Sequence, residues 1–179
     1  IEGAEFILFV DAFRYDLAIE FCDQLPNNFE VELKQSWSAL PSLTATSKPS
    51  VSPIASKLSK VSSLKEFQPH FQSGNACTPH YFRKELKEIG VQYISSPYEI
   101  AEPKQKYWME IGDIDKKGYQ EQSEMFKRIP EWLTELKETI TRITDKGVNK
   151  VTIVTDHGWL LLPGGLPKVN LHKDLAETR

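Results

Sequence analysis

Two short apolar runs, one near each end of the chain, each deliver an aspartate, and they constrain the fold more than any other feature. Residues 150–159 read K-V-T-I-V-T-D-H-G-W. Val151, Thr152, Ile153 and Val154 form a β-branched run of one strand's length, patterned for burial on both faces. Asp156 and His157 follow at once, so a carboxylate and an imidazole leave the strand side by side. Residues 4–10, A-E-F-I-L-F-V, form a second near-continuous apolar run and deliver Asp11 in the same way. Runs of this kind belong to central strands covered on both faces, as in parallel sheets flanked by helices. Ligands of such open sheets bind at the carboxyl edge of the strands. Carboxylate oxygen and imidazole nitrogen are both ligands for zinc-like ions.

Between these runs the periodicity alternates. A helix is expected over 14–25, with Leu17, Phe21 and Leu25 on one face, and then a strand over 29–34, F-E-V-E-L-K. Residues 36–53 are rich in Ser, Thr and Pro and have no period. They read either as a linker or as a loop that brings a hydroxyl to the head of a helix. A short helix over 50–58, an irregular insertion over 59–79 and a helix over 79–89 capped by Gly90 follow. Strands are expected over 91–94 and 106–111, the second running into Asp113 and Asp115. Ile129, Leu133, Leu136, Ile140 and Ile143 make an apolar stripe within a helical stretch over 120–144, which Pro130 splits or kinks. Strands alternating with helices imply a three-layer α/β sandwich around a mostly parallel central sheet.

Composition excludes several classes. A chain of 179 residues with 40% hydrophobic content fits one domain, taken as residues 1–179 with the insertion inside it. A net charge of −3 provides no global basic field to attract nucleic acid. The two cysteines, Cys22 and Cys77, are far apart and carry no metal-type spacing. No apolar run approaches membrane-spanning length and no signal peptide opens the chain, so a cytoplasmic location is expected. The start at Ile1 and the stop at Arg179 read as a segment of a longer protein.

If all strand exits share one edge, Asp11, Asp113 or Asp115, and Asp156 with His157 converge there, joined by the hydroxyl loop around Thr44. Crowded carboxylates repel one another unless a cation neutralises them. A divalent metal beside a hydroxyl would lower its pKa and polarise a phosphoryl oxygen. Simpler roles compete. Asp11 could cap the helix after it, and Arg14 with Asp16 could form an exposed helix pair rather than a phosphate contact. Ser42 and Thr46 are alternatives to Thr44. His70, His80 and His172 read as ordinary histidines, and Trp159 as a wall of the site.

V-D-A-F-R-Y-D at 10–16, P-S-L-T at 41–44 and V-T-D-H-G at 154–158, in that order, resemble the PglZ domain. PglZ domains belong to the alkaline phosphatase superfamily and occur in bacterial phage-exclusion (BREX-type) systems. The resemblance implies an alkaline phosphatase-like fold and a metal-dependent phosphatase or phosphodiesterase. It implies that Asp11, Asp156 and His157 hold a divalent ion, Zn2+, with Thr44 as nucleophile; Arg14 stands beside them as a candidate contact to the substrate or the ligands. The superfamily's second metal takes an Asp and a His in a D-x-x-G-H pattern, plus a late His. Asp115 fits that pattern better than Asp113, but Tyr119 stands where the His is expected, and the late His is His172 or falls past Arg179. Implied partners are a phosphate-containing substrate, nucleic acid among the candidates, and other defence proteins. The alternative is a catalytically degenerate PglZ domain serving as a metal- or phosphate-binding interaction module.

Overall fold

The computed structural model describes residues 5–60, 68–112 and 125–159. Strand β1 (Glu5–Val10) leads into helix α1 (Tyr15–Asp23), and an exposed segment then reaches the short helix α2 (Thr44–Ser50). After a 3-10 turn at Ala55–Lys57 come α3 (Pro79–Glu88), β2 (Val91–Ile94), a second 3-10 turn at Pro97–Glu99, and β3 (Lys106–Ile111). Helix α4 (Met125–Asp145) and strand β4 (Lys150–Val154) follow. The four strands are all parallel, in the order β2-β3-β1-β4.

Alternation along β1 explains why helices cover both faces of the sheet. Phe6, Leu8 and Val10 point into one core, shared with Leu17 and Phe21 of α1 and with Leu133, Leu136, Ile140 and Ile143 of α4. Ile7 and Phe9 point into the other, with Phe82 and Leu86 of α3 and with Ile54, Phe71 and Trp108. Every residue of β1 from Phe6 to Val10 is buried, so its apolar run satisfies both layers at once. The architecture is α/β in three layers, as the periodicity implied.

Several local expectations are corrected. Strand β4 is the outer strand of the described sheet and residues 151–154 are only partly buried, Val151 and Ile153 against one core and Val154 against the other. The alternating stretch at 29–34 is not a strand: residues 30–37 are exposed throughout and unpaired, with Val31 and Leu33 in solvent. Alternation shows that a stretch suits a sheet, but ladder bonds need a neighbour, and none among the described residues is paired with it. The short helix lies earlier than expected, at Thr44–Ser50, and carries Pro49 inside it. Pro130 likewise lies inside α4, which runs on as one helix because its apolar stripe anchors both sides of the proline. Within 59–79, the described residues are tied down by bridges of Leu58 to Phe71 and His70 to Ala76, and Phe71 is a core residue. That stretch is therefore partly structural. Cys22 and Cys77 are free, and burial pushes the Cys77 thiol up to about 11.

Candidate functional site

The carboxyl edges of β1 and β4 are adjacent because the strands pair in register, Phe9 opposite Val154. Asp11 and Asp156 therefore leave the sheet at the same edge. Their loops are stitched together by polar contacts. Asp156 Oδ1 accepts from the Ala12 amide at 3.2 Å and from the His157 amide at 2.9 Å. The Phe13 amide donates to Thr155 Oγ1 at 2.9 Å, and that hydroxyl donates to the His157 carbonyl at 3.2 Å. Ala12 is fully buried with φ at 52°, in the left-handed region. That conformation costs a non-glycine residue about 1–2 kcal/mol, and it occurs at the residue whose amide bonds Asp156.

Asp11, Asp156 and His157 each bring a ligand atom within 4.8 Å of the others. His157 Nδ1 lies 3.0 Å from the Gly158 carbonyl. A carbonyl can only accept, so Nδ1 carries the proton, and in neutral imidazole Nε2 is left with a lone pair. That lone pair faces Asp156 Oδ2 at 3.5 Å. Oδ2 is itself buried with no hydrogen-bond partner, while the other oxygen of the same carboxylate has two. Nε2 has the Thr44 hydroxyl at 3.2 Å, so the orphaned Oδ2 is the atom of the cluster open to a cation, a proton or a metal ion. The oxygen, oxygen and nitrogen donors suit a zinc-like divalent ion, and an imidazole oriented by a carbonyl is the usual arrangement of a metal-binding histidine.

Thr44 opens α2 directly against this cluster. Its Oγ1 is 3.2 Å from His157 Nε2 and 3.4 Å from Asp11 Oδ1. The structure also separates Thr44 from its two alternatives. Ser42 is exposed, and the Thr46 hydroxyl is occupied by the carbonyls of Pro41 and Leu43. Asp11 does not cap α1, whose N-cap residue is Arg14. Arg14 makes a bidentate ion pair with Asp16, at 2.9 and 2.6 Å, and holds the Asp16 carboxyl below its ordinary pKa through that hydrogen bond. The Arg14 guanidinium stacks 4.6 Å from the Trp159 ring centroid. Its stem crosses Gly158 so closely that a Cβ there would meet Arg14 Cγ at 3.3 Å. Arg14 thus flanks the site beside His157, tied to Asp16. Asp113, Asp115, Tyr119 and His172 lie outside the described residues.

Three contributors were missed by sequence reading: the Ala12 amide, the Thr155 hydroxyl and Ser38. Thr155 sits within the V-T-D-H-G motif and could have been weighed from its position. Ser38 gives no sequence signal, because its contact with Asp156 spans 118 positions of chain. Among the described residues, no helix is long and apolar enough to cross a membrane. Compared with protein-family models, curated proteins and solved structures, the chain matches none.

Proposed function

We propose that the chain is a metal-dependent phosphoric ester hydrolase domain of the PglZ type, with an alkaline phosphatase-like fold, acting in the bacterial cytoplasm as part of a phage-defence assembly. The observation that carries this reading is the placement of the Thr44 hydroxyl against His157 Nε2 and Asp11, beside the orphaned Asp156 Oδ2. A free threonine hydroxyl is a weak nucleophile and needs activation. A divalent cation held by Asp11, Asp156 and His157, Zn2+ by donor type, would lower the hydroxyl pKa and polarise a phosphoryl oxygen. Thr44 Oγ1 would attack phosphorus as the bond to the ester oxygen breaks and the alcohol leaves with a proton, and water would cleave the phosphothreonine, restoring the hydroxyl and releasing the phosphate product. Asp11 Oδ1 is within reach to take the hydroxyl proton. Arg14 approaches the substrate if it exchanges Asp16 for a phosphate.

A second reading, a metal- or phosphate-binding module without turnover, is favoured by Tyr119 at the position where a second-metal His is expected. Zinc-loaded protein assayed on a generic phosphomonoester and phosphodiester separates the two. Thr44→Ala should lower turnover by about 10³-fold or more while keeping the bound metal, and Thr44→Ser should retain part of the rate. A Thr44→Ala variant as fast as the parent discards the covalent route. A parent that binds zinc but turns over neither ester, both as this segment and within the full-length protein, establishes the binding module.

A further inference from the structure

The geometry points to Ser38 and Ser47 as positioning residues, a two-hydroxyl relay that locks helix α2, and with it Thr44, to the peptide of Asp156. Ser38 Oγ lies 2.6 Å from the Asp156 carbonyl and 3.1 Å from Ser47 Oγ. The carbonyl can only accept and a hydroxyl has one proton, so Ser38 donates to Asp156 and accepts from Ser47. The Ala39 carbonyl, at 3.4 Å from Ser38 Oγ, is the weaker alternative acceptor. The relay therefore has one direction, from Ser47 through Ser38 to Asp156.

Both ends of the relay bear on the site. Ser47 is fully buried, and its amide bonds the Leu43 carbonyl at 2.8 Å, so its backbone is fixed to the residue before Thr44. At the other end, the Asp156 peptide carries the side chain whose Oδ2 lies 3.5 Å from His157 Nε2, and across to the β1 exit that side chain is held through the Ala12 amide. Ser38 thus sets the separation between a hydroxyl on one loop and a carboxylate on another, although it touches neither Thr44 nor the ligand atoms. Partners that orient metal ligands in this way typically contribute 10–100-fold to metal affinity or activity. This inference rests on the proposed roles of Asp156 as a ligand and Thr44 as the nucleophile.

Cobalt(II) titration reports on it independently of turnover. The parent, Ser38→Ala, Ser47→Ala, the double variant and Ser38→Thr are compared in cobalt Kd, in kcat and KM on bis-p-nitrophenyl phosphate, and in the thermal midpoint of the metal-free protein. Ser38→Ala should raise the cobalt Kd about tenfold and lower kcat about tenfold, with KM within about twofold and cooperative unfolding at a lower midpoint, because the buried Ser47 hydroxyl loses its partner. Ser47→Ala should do the same more weakly. The double variant should be no worse than Ser38→Ala, because both substitutions cut one relay. Ser38→Thr, which keeps the hydroxyl, should recover most of the loss. A parental Kd and kcat in Ser38→Ala, additive effects in the double variant, or a folded Thr variant as poor as Ala each overturn the relay. A parent that binds cobalt but hydrolyses nothing, as this segment and within the full-length protein, removes the hydrolase reading, and the relay then stands or falls on Kd alone. A parent that binds no cobalt removes both.

Discussion

Asp156 divides its work between its two oxygens. Oδ1 is structural, joining the β1 and β4 exits through the Ala12 and His157 amides, and Oδ2 is the atom left for a cation. Two substitutions should separate these tasks. Asp156→Asn can keep an oxygen at the Oδ1 position while removing the anion and presenting an amide N–H to His157 Nε2. It should hold a near-parental thermal midpoint and lose the metal. Asp156→Ala leaves the buried Ala12 amide without its acceptor, a cost of about 1–3 kcal/mol, and should lose both metal and stability. Elemental analysis of the two proteins, set beside their melting curves, checks the division. An Asn variant carrying one ion at parental affinity rules out Asp156 as a ligand. Asp11, Thr44, Asp156 and His157 were legible in the sequence because each sits in a motif placed at a strand or helix end. Ser38 was not, since a hydroxyl in a Ser-rich loop acquires its role from whatever the fold sets opposite it.

Among the elements, α4 shows how a periodic stripe outweighs a local breaker. Leu133, Leu136, Ile140 and Ile143 are buried against β1 and β3, and burying one such side chain contributes about 1.5–3 kcal/mol. The lost hydrogen bond and ring clash at Pro130 cost about 3 kcal/mol, which several buried residues outweigh. Leu136→Ala should destabilise the domain by about 2–5 kcal/mol in urea unfolding, because Leu136 is 1% exposed and its removal opens a cavity. A loss below about 1 kcal/mol would place α4 outside the core. The stretch at 29–34 is the opposite case. Its alternation is a real preference, but a strand is completed only by a paired neighbour, and its Val31 and Leu33 remain in solvent.

At the scale of the molecule, the β2-β3-β1-β4 order sets one carboxyl edge beside another and so makes a site from residues 11, 44, 156 and 157. An ion that binds this assembled site and not the unfolded chain must stabilise the whole fold. At about 100 times Kd the gain is about 2.7 kcal/mol, which for a domain of this size raises the midpoint by about 5–10 °C. Zinc should produce that rise and a chelator should reverse it. A midpoint indifferent to both would remove the metal from the fold's energetics. By itself the sequence determined the four strands of the sheet, the longer helices, the buried face of α4 and the residues with metal-binding chemistry, though not the stretch at 29–34 or the place of the short helix. These depend on side-chain character and on periods of a few residues. That β1 and β4 are neighbours was expected from their matching apolar runs, but only the tertiary structure decided that β4 takes the outer place, that Asp156 spends one oxygen on the Ala12 amide, and that Ser38 reaches across to Asp156. Contacts between residues more than a hundred positions apart depend on the order the strands take in the sheet, and no local period records that order.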